Sequence, residues 1–169
     1  TKSLVASIIH NEGEDGAEVI VSGWVNNLAA TPNAKDSHVM NAILAGQCDV
    51  GLVNTYYFGR LIEETPDAPL SLFWANQEIT GVHVNVSGAG VTKHASNAEG
   101  AIQLLEWLSS PKAQAIYGSL NKEYPANQSI ASDEIVSAWG AFKQDDMNLS
   151  IAGILQADAV ALMQRIGYK

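Results

Sequence analysis

The chain has 169 residues, 47% of them hydrophobic, which is enough for one sizeable core or two small lobes. Nine Lys and Arg against 18 Asp and Glu give a formal charge of -9 and a pI near 4.7, which argues against nucleic acid and anionic membrane surfaces as partners. The single cysteine, Cys48, excludes an intrachain disulfide framework and a Cys-rich zinc site, and no apolar run reaches the roughly 20 residues that span a bilayer.

The first residues, Thr1-Lys2-Ser3-Leu4-Val5, lack the order of a secretory signal, and the chain opens without methionine directly into an apolar pattern. Such a start suggests a processed or truncated product. Leu4, Val5, Ile8 and Ile9 follow helical spacing towards a stop at Gly13, and a second helix is predicted from Glu14 to Ala30. Its apolar face is Ala17, Ile20, Val21, Trp24, Val25 and Leu28, with acidic residues in the first turns where the helix dipole favours them. Asp36 or Ser37 can cap a short helix from His38 to Ala45, closed by Gly46.

The next stretch, Cys48 to Arg60, is the most informative in the sequence. Val50 to Val53 reads as a short buried parallel strand, Asn54 and Thr55 as a strand end and helix cap, and Tyr56 to Glu64 as a helix stopped by Thr65-Pro66. Cys48 reads as a small buried hydrophobe. Two adjacent phenols, Tyr56 and Tyr57, then stand where a strand gives way to a helix, which is where open α/β sheets collect ligands. A phenol ionises near pH 10 in water, so it serves as an anionic ligand at neutral pH only beside a cation or strong positive field. Such a pair can bind a hard, highly charged metal ion, or it can be two half-buried aromatics with bonded hydroxyls.

Further along, Leu70 to Ala75 and Ile79 to Val91 are predicted strands, the second alternating Val82, Val84 and Val86 against polar residues. Helices follow around Ala98 to Leu108, from Pro111 to Leu120, near Glu134 to Phe142 and from Leu155 to Ile166. His10, His38, His83 and His94 form no recognisable metal pair, and His83 and His94 read as solvent-facing or capping residues. Lys35 and Arg60 are the cations that could lie near the phenols. The adjacent carboxylates Glu63-Glu64, Asp133-Glu134 and Asp145-Asp146 diverge by about 100° on a helix, so none is a natural acid/base dyad. A phosphate loop, a nucleophile elbow and a His-Glu-x-x-His pattern are all missing from the sequence.

Several blocks, in order, resemble the periplasmic ferric-iron-binding proteins that serve ABC transporters. They are Ser3-Leu4-Val5-Ala6-Ser7, Ala42-Ile43-Leu44-Ala45-Gly46 leading to Cys48-Asp49-Val50, and Asn54-Thr55-Tyr56-Tyr57. Gly88-Ala89-Gly90-Val91, Leu108-Ser109-Ser110-Pro111 with Ala113-Gln114, and Asn121-Lys122-Glu123-Tyr124-Pro125-Ala126-Asn127 complete the set. The resemblance implies an α/β, two-lobed fold like that of type II periplasmic binding proteins, of which this chain is roughly the C-terminal half. On that basis 1–84 and 138–169 form the C-terminal lobe, and 85–137 returns to the N-terminal lobe, whose remainder is not in this chain.

The same resemblance implies a periplasmic solute-binding protein, not an enzyme. It holds ferric iron through the phenolates of Tyr56 and Tyr57 and delivers it to an ABC transporter permease. Asn54 is implied as a contact for a synergistic anion, against the simpler reading that it only caps the helix. The remaining metal ligands would come from the missing N-terminal half. Two alternatives stand beside this reading: a related two-lobed protein for an anion, with the tyrosines as hydrogen-bond donors, and an α/β enzyme with a tyrosine acid or base.

Overall fold

A computed structural model describes residues 1–168. Among them are α1 (Lys2–Asn26), α2 (Asp36–Leu44), α3 (Thr55–Glu64), α4 (Ala98–Leu108), α5 (Pro111–Asn121), α6 (Glu134–Ser137), α7 (Leu149–Ile154) and α8 (Gln156–Arg165). They divide between two compact units. The first holds Thr1–Ala34, Phe73–Asn85 and the described residues from Phe142 onward; the second holds Lys35–Leu72 and Val86–Ala141. These units group the chain by its internal packing, whereas the lobes expected from the resemblance belong to a longer protein. Lys169, the last residue of the expected lobe, lies outside the described residues.

In the first unit α1 packs along α7 and α8. Val5 and Ile9, then Ala17 and Val21, recur at four-residue spacing and present one apolar stripe, which buries against Ala159 and Leu162. The predicted break at Gly13 is present: its φ of 74° and ψ of 174° interrupt α1 without separating its arms. That combination is essentially restricted to glycine. The second arm stops at Asn26, short of Ala30, because the backbone and side-chain N–H groups of Asn27 both return to the Gly23 carbonyl, at 3.2 and 2.8 Å.

Local capping chemistry sets the helices of the second unit. Asn97 accepts a hydrogen bond from the Gly100 N–H at 2.9 Å to start α4, and Ser110 accepts one from Ala113 at 3.3 Å to start α5, with Pro111 at its first position. Asp133 accepts from Ile135 at 3.0 Å and starts α6. That helix ends at Ser137 rather than at Phe142, since Gly140 turns left-handed at φ 78° and Trp139 leaves the helical path to pack between Phe58 and Tyr124.

The expected strands need correction. Among the described residues the β pairing is one isolated parallel bridge, Val82 to Gln144, with Val82 N–H donating to Lys143 O and Asp145 N–H to Val82 O. Residues 50–53 and 70–75 form no ladder, and Val50, Leu52 and Phe73 are 84%, 61% and 88% exposed rather than buried. The physical reason is that a strand is stabilised only by a paired neighbour, and the described residues supply none to these segments. Cys48, expected to be buried, is half-buried. His83, expected to face solvent or cap a helix, is half-buried with its Nε2 3.1 Å from Ser3 Oγ.

A tyrosine pair at the start of a helix

The second unit presents Tyr56 and Tyr57 in the first turn of α3. Their ring centroids are 4.4 Å apart at an interplanar angle of 38°, and both side chains are half-buried. Phe58 and Gly59 follow them into the interior, so α3 is amphipathic with its phenols at the edge of the buried face. The Arg60 guanidinium stands over both rings, 5.4 Å from the Tyr56 centroid and 5.8 Å from that of Tyr57, within cation–π range.

Asn54 occupies the cap position of α3 but its side chain does not cap the helix. Its side-chain Nδ2–H and backbone N–H instead both donate to Asp36 Oδ2, at 2.8 and 2.7 Å. Asp36 opens α2, so the contact between α2 and α3 delivers a carboxylate to the start of the tyrosine helix. Sequence reasoning assigned Asp36 only to its own helix. An aspartate eighteen positions from an asparagine carries no local signal of that bond.

Tyr56 lies in a field that keeps its proton on. Burial pushes the Tyr56 hydroxyl up to about 12; the hydrogen bond with Tyr57, that residue's charge and the Asp36 carboxylate act in the same direction, and Arg60 opposes them. Tyr56 is therefore a neutral phenol at neutral pH. A phenol of this kind can serve as an anionic oxygen ligand only where a bound cation replaces the proton, the exchange by which metal binding couples to proton release. No group of three or more His, Cys, Asp or Glu able to hold a metal occurs among the described residues.

Further along α3 is a contact with a lysine that the sequence did not single out. Lys122, at the end of α5, is 4% exposed, and its ammonium lies 2.7 Å from Glu63 Oε1 on α3 and 3.3 Å from Asp133 Oδ2 at the start of α6. Hydrogen bonding to Glu63 is the largest influence holding its ammonium charged, against the cost of burial. Its one sequence signal is its place in the Asn121-to-Asn127 block.

Residues 23–115 match the family model described as bacterial extracellular solute-binding protein. The chain belongs to that family. Among curated relatives of this solute-binding protein, Iron uptake protein A1 of Synechocystis sp. is 38% identical over 99% of the chain and 48% of its own length. A solved Trichodesmium protein, IdiA or FutA, in complex with iron and citrate ligands is 41% identical with a TM-score of 0.91, covering 99% of this chain and 55% of that one. A ferric binding protein from Campylobacter jejuni is 30% identical with a TM-score of 0.94, again over 99% and 55%.

The solute-binding protein therefore spans about half the length of the relatives it matches. These relatives bear out the resemblance to ferric-iron-binding proteins and the fold class, roughly half of a two-lobed type II periplasmic binding protein. No helix among the described residues is long and apolar enough to cross a membrane.

Proposed function

We propose that the protein to which this chain belongs captures ferric iron in a cleft between two lobes, with Tyr56 and Tyr57 as phenolate ligands, and delivers it to the permease of an ABC transporter in the periplasm. One observation carries the reading: two phenols stand side by side at the first turn of α3, beneath a guanidinium. Iron-binding relatives of this fold support it. Phenolate oxygen is hard and anionic, which suits a small trivalent cation. The activity is transport, with the ligand returned unchanged, and not catalysis.

Two phenolates fill only part of an octahedral shell, so the remaining ligands are assigned to the half of the protein outside this chain and to a synergistic anion. The lobe assignment made from the resemblance, 1–84 with 138–169 and 85–137 with the other lobe, is part of the same proposal. Asn54 is the weaker element. Its two donors already serve Asp36, so an anion there shares them or displaces the carboxylate.

The test is ferric binding by the full-length parent and its Tyr56→Phe and Tyr57→Phe variants, read by phenolate-to-iron charge transfer in the visible spectrum. The expected result is loss of the band and of affinity in each variant. An unchanged spectrum and affinity would sink the assignment.

A further inference from the structure

Gly59 and Glu63 lie four residues apart on α3, and both meet Lys122. A methyl group built on Gly59 would stand 2.6 Å from Lys122 Cβ and 3.1 Å from Trp139 Cζ2, so the helix backbone rests directly on the lysine stem. At the far end of that stem the ammonium reaches Glu63 Oε1 at 2.7 Å. Glu63 follows Tyr56 by seven residues, two helical turns along nearly the same line of the helix. The grip thus lies on the same side of the helix as Tyr56, with Gly59 three residues and Glu63 seven residues beyond it.

The anchor itself is also held from the start of α6. Asp133 Oδ2 takes the same ammonium while Asp133 Oδ1 accepts from the Ile135 N–H, which joins the lysine to the start of α6. The Lys122 backbone is left-handed, with φ 58°, where residues other than glycine are uncommon. Such a conformation persists where surrounding contacts over-determine it. Glu63 is 55% exposed, so its ion pair with the buried ammonium adds little stability, and what the pair supplies is one fixed arrangement of α3 against the lysine.

We propose that Lys122 is a positioning residue for the tyrosine pair: it fixes the rotation and height of α3, and so the direction in which Tyr56 and Tyr57 present their oxygens. The inference rests on the reading of those tyrosines as ligands, but it makes a separate prediction for the iron-free protein.

The experiment uses the full-length parent with Lys122→Met, which keeps the stem and removes the charge, and Lys122→Asn, which tolerates the left-handed backbone and removes the reach. Ferric citrate is the iron source. Both variants are expected to lose roughly 10–100-fold in ferric affinity, the range found when a partner of a metal ligand is removed. In the iron-free state, α3 amides 59–64 should exchange faster while the thermal midpoint of Lys122→Met stays close to the parent's. Unchanged affinity with unchanged α3 exchange would overturn the proposal, as would an affinity loss accompanied by a matching fall in thermal midpoint. Tyr56→Phe and Tyr57→Phe, run alongside, report failure of the ligand reading by itself: they would bind iron normally, whereas the exchange result concerns Lys122 alone.

Discussion

Asn54 donates twice to a single oxygen of Asp36, from its backbone at 2.7 Å and from its side chain at 2.8 Å. This puts a negative charge beside Tyr56 on one side, while the Arg60 guanidinium supplies a positive one 5.4 Å above the ring. The two charges act on the same proton in opposite senses. Asp36→Asn should therefore lower the Tyr56 titration midpoint, and Arg60→Met should raise it further. Tyrosinate absorbance of the iron-free protein, followed through alkaline pH, checks this; shifts of the same sign would contradict the electrostatic account.

Gly59 is a position where space, not backbone conformation, excludes a side chain. Gly59→Ala would force a methyl group to 2.6 Å from Lys122 Cβ. Overpacking of this kind costs about 1–3 kcal/mol. Urea denaturation should show a lower midpoint with an unchanged slope, and a neutral result would mean that α3 can shift off the lysine.

Acid should weaken the first unit in two stages. Burial lowers the pKa of His83 from its ordinary 6.5, with the Asp145 charge opposing, so the unfolded chain takes up the proton first and stability falls as pH drops below about 6.5. Asp145 behaves differently: burial would raise its pKa, but hydrogen bonds from Ser7, the Met147 N–H and Asn11 hold it below the ordinary 3.8. Its contribution is present above 3.8 and is lost as pH falls from there through the folded value. Thermal midpoints measured from pH 8 to 3 test both stages; His83→Gln should remove the upper one and leave the lower.

Core and surface of the same helix should respond very differently. Leu162 on α8 is fully buried against α1, and Leu162→Ala should cost about 2–5 kcal/mol. Arg165, one turn further on, pairs with Glu14 and Glu18 at 3.2 and 2.6 Å in open solvent, where ion pairs contribute little. Arg165→Ala should leave the denaturation midpoint essentially in place.

What could be read from the sequence was local. Pro111 announces the start of α5 because it suits the first position of a helix, and the periodicity of Val5, Ile9, Ala17 and Val21 marks the stripe that becomes a core. The placement of Tyr56 and Tyr57 at a helix start was legible as well, although Asn54 turns its side chain to Asp36 instead of capping the helix. The strands were not, since a ladder at 50–53 depends on a partner far along the chain or beyond it. Lys122 and Asp36 were missed on similar grounds. Nothing adjacent to a lysine following a helix says that it will be buried between two carboxylates from other elements.

The break in α1 has a chemical corollary. At Gly13 the backbone has φ 74° and ψ 174°, and a Cβ built there meets nothing within 4 Å. The objection to a side chain is thus one of handedness alone, and inverting the residue's chirality removes it. D-Alanine introduced at this position by chemical ligation should take up these backbone angles without strain. By restricting the unfolded chain it should add about 0.4–1 kcal/mol, the gain seen where glycine is replaced at a compatible site. L-Alanine at the same position should do the reverse.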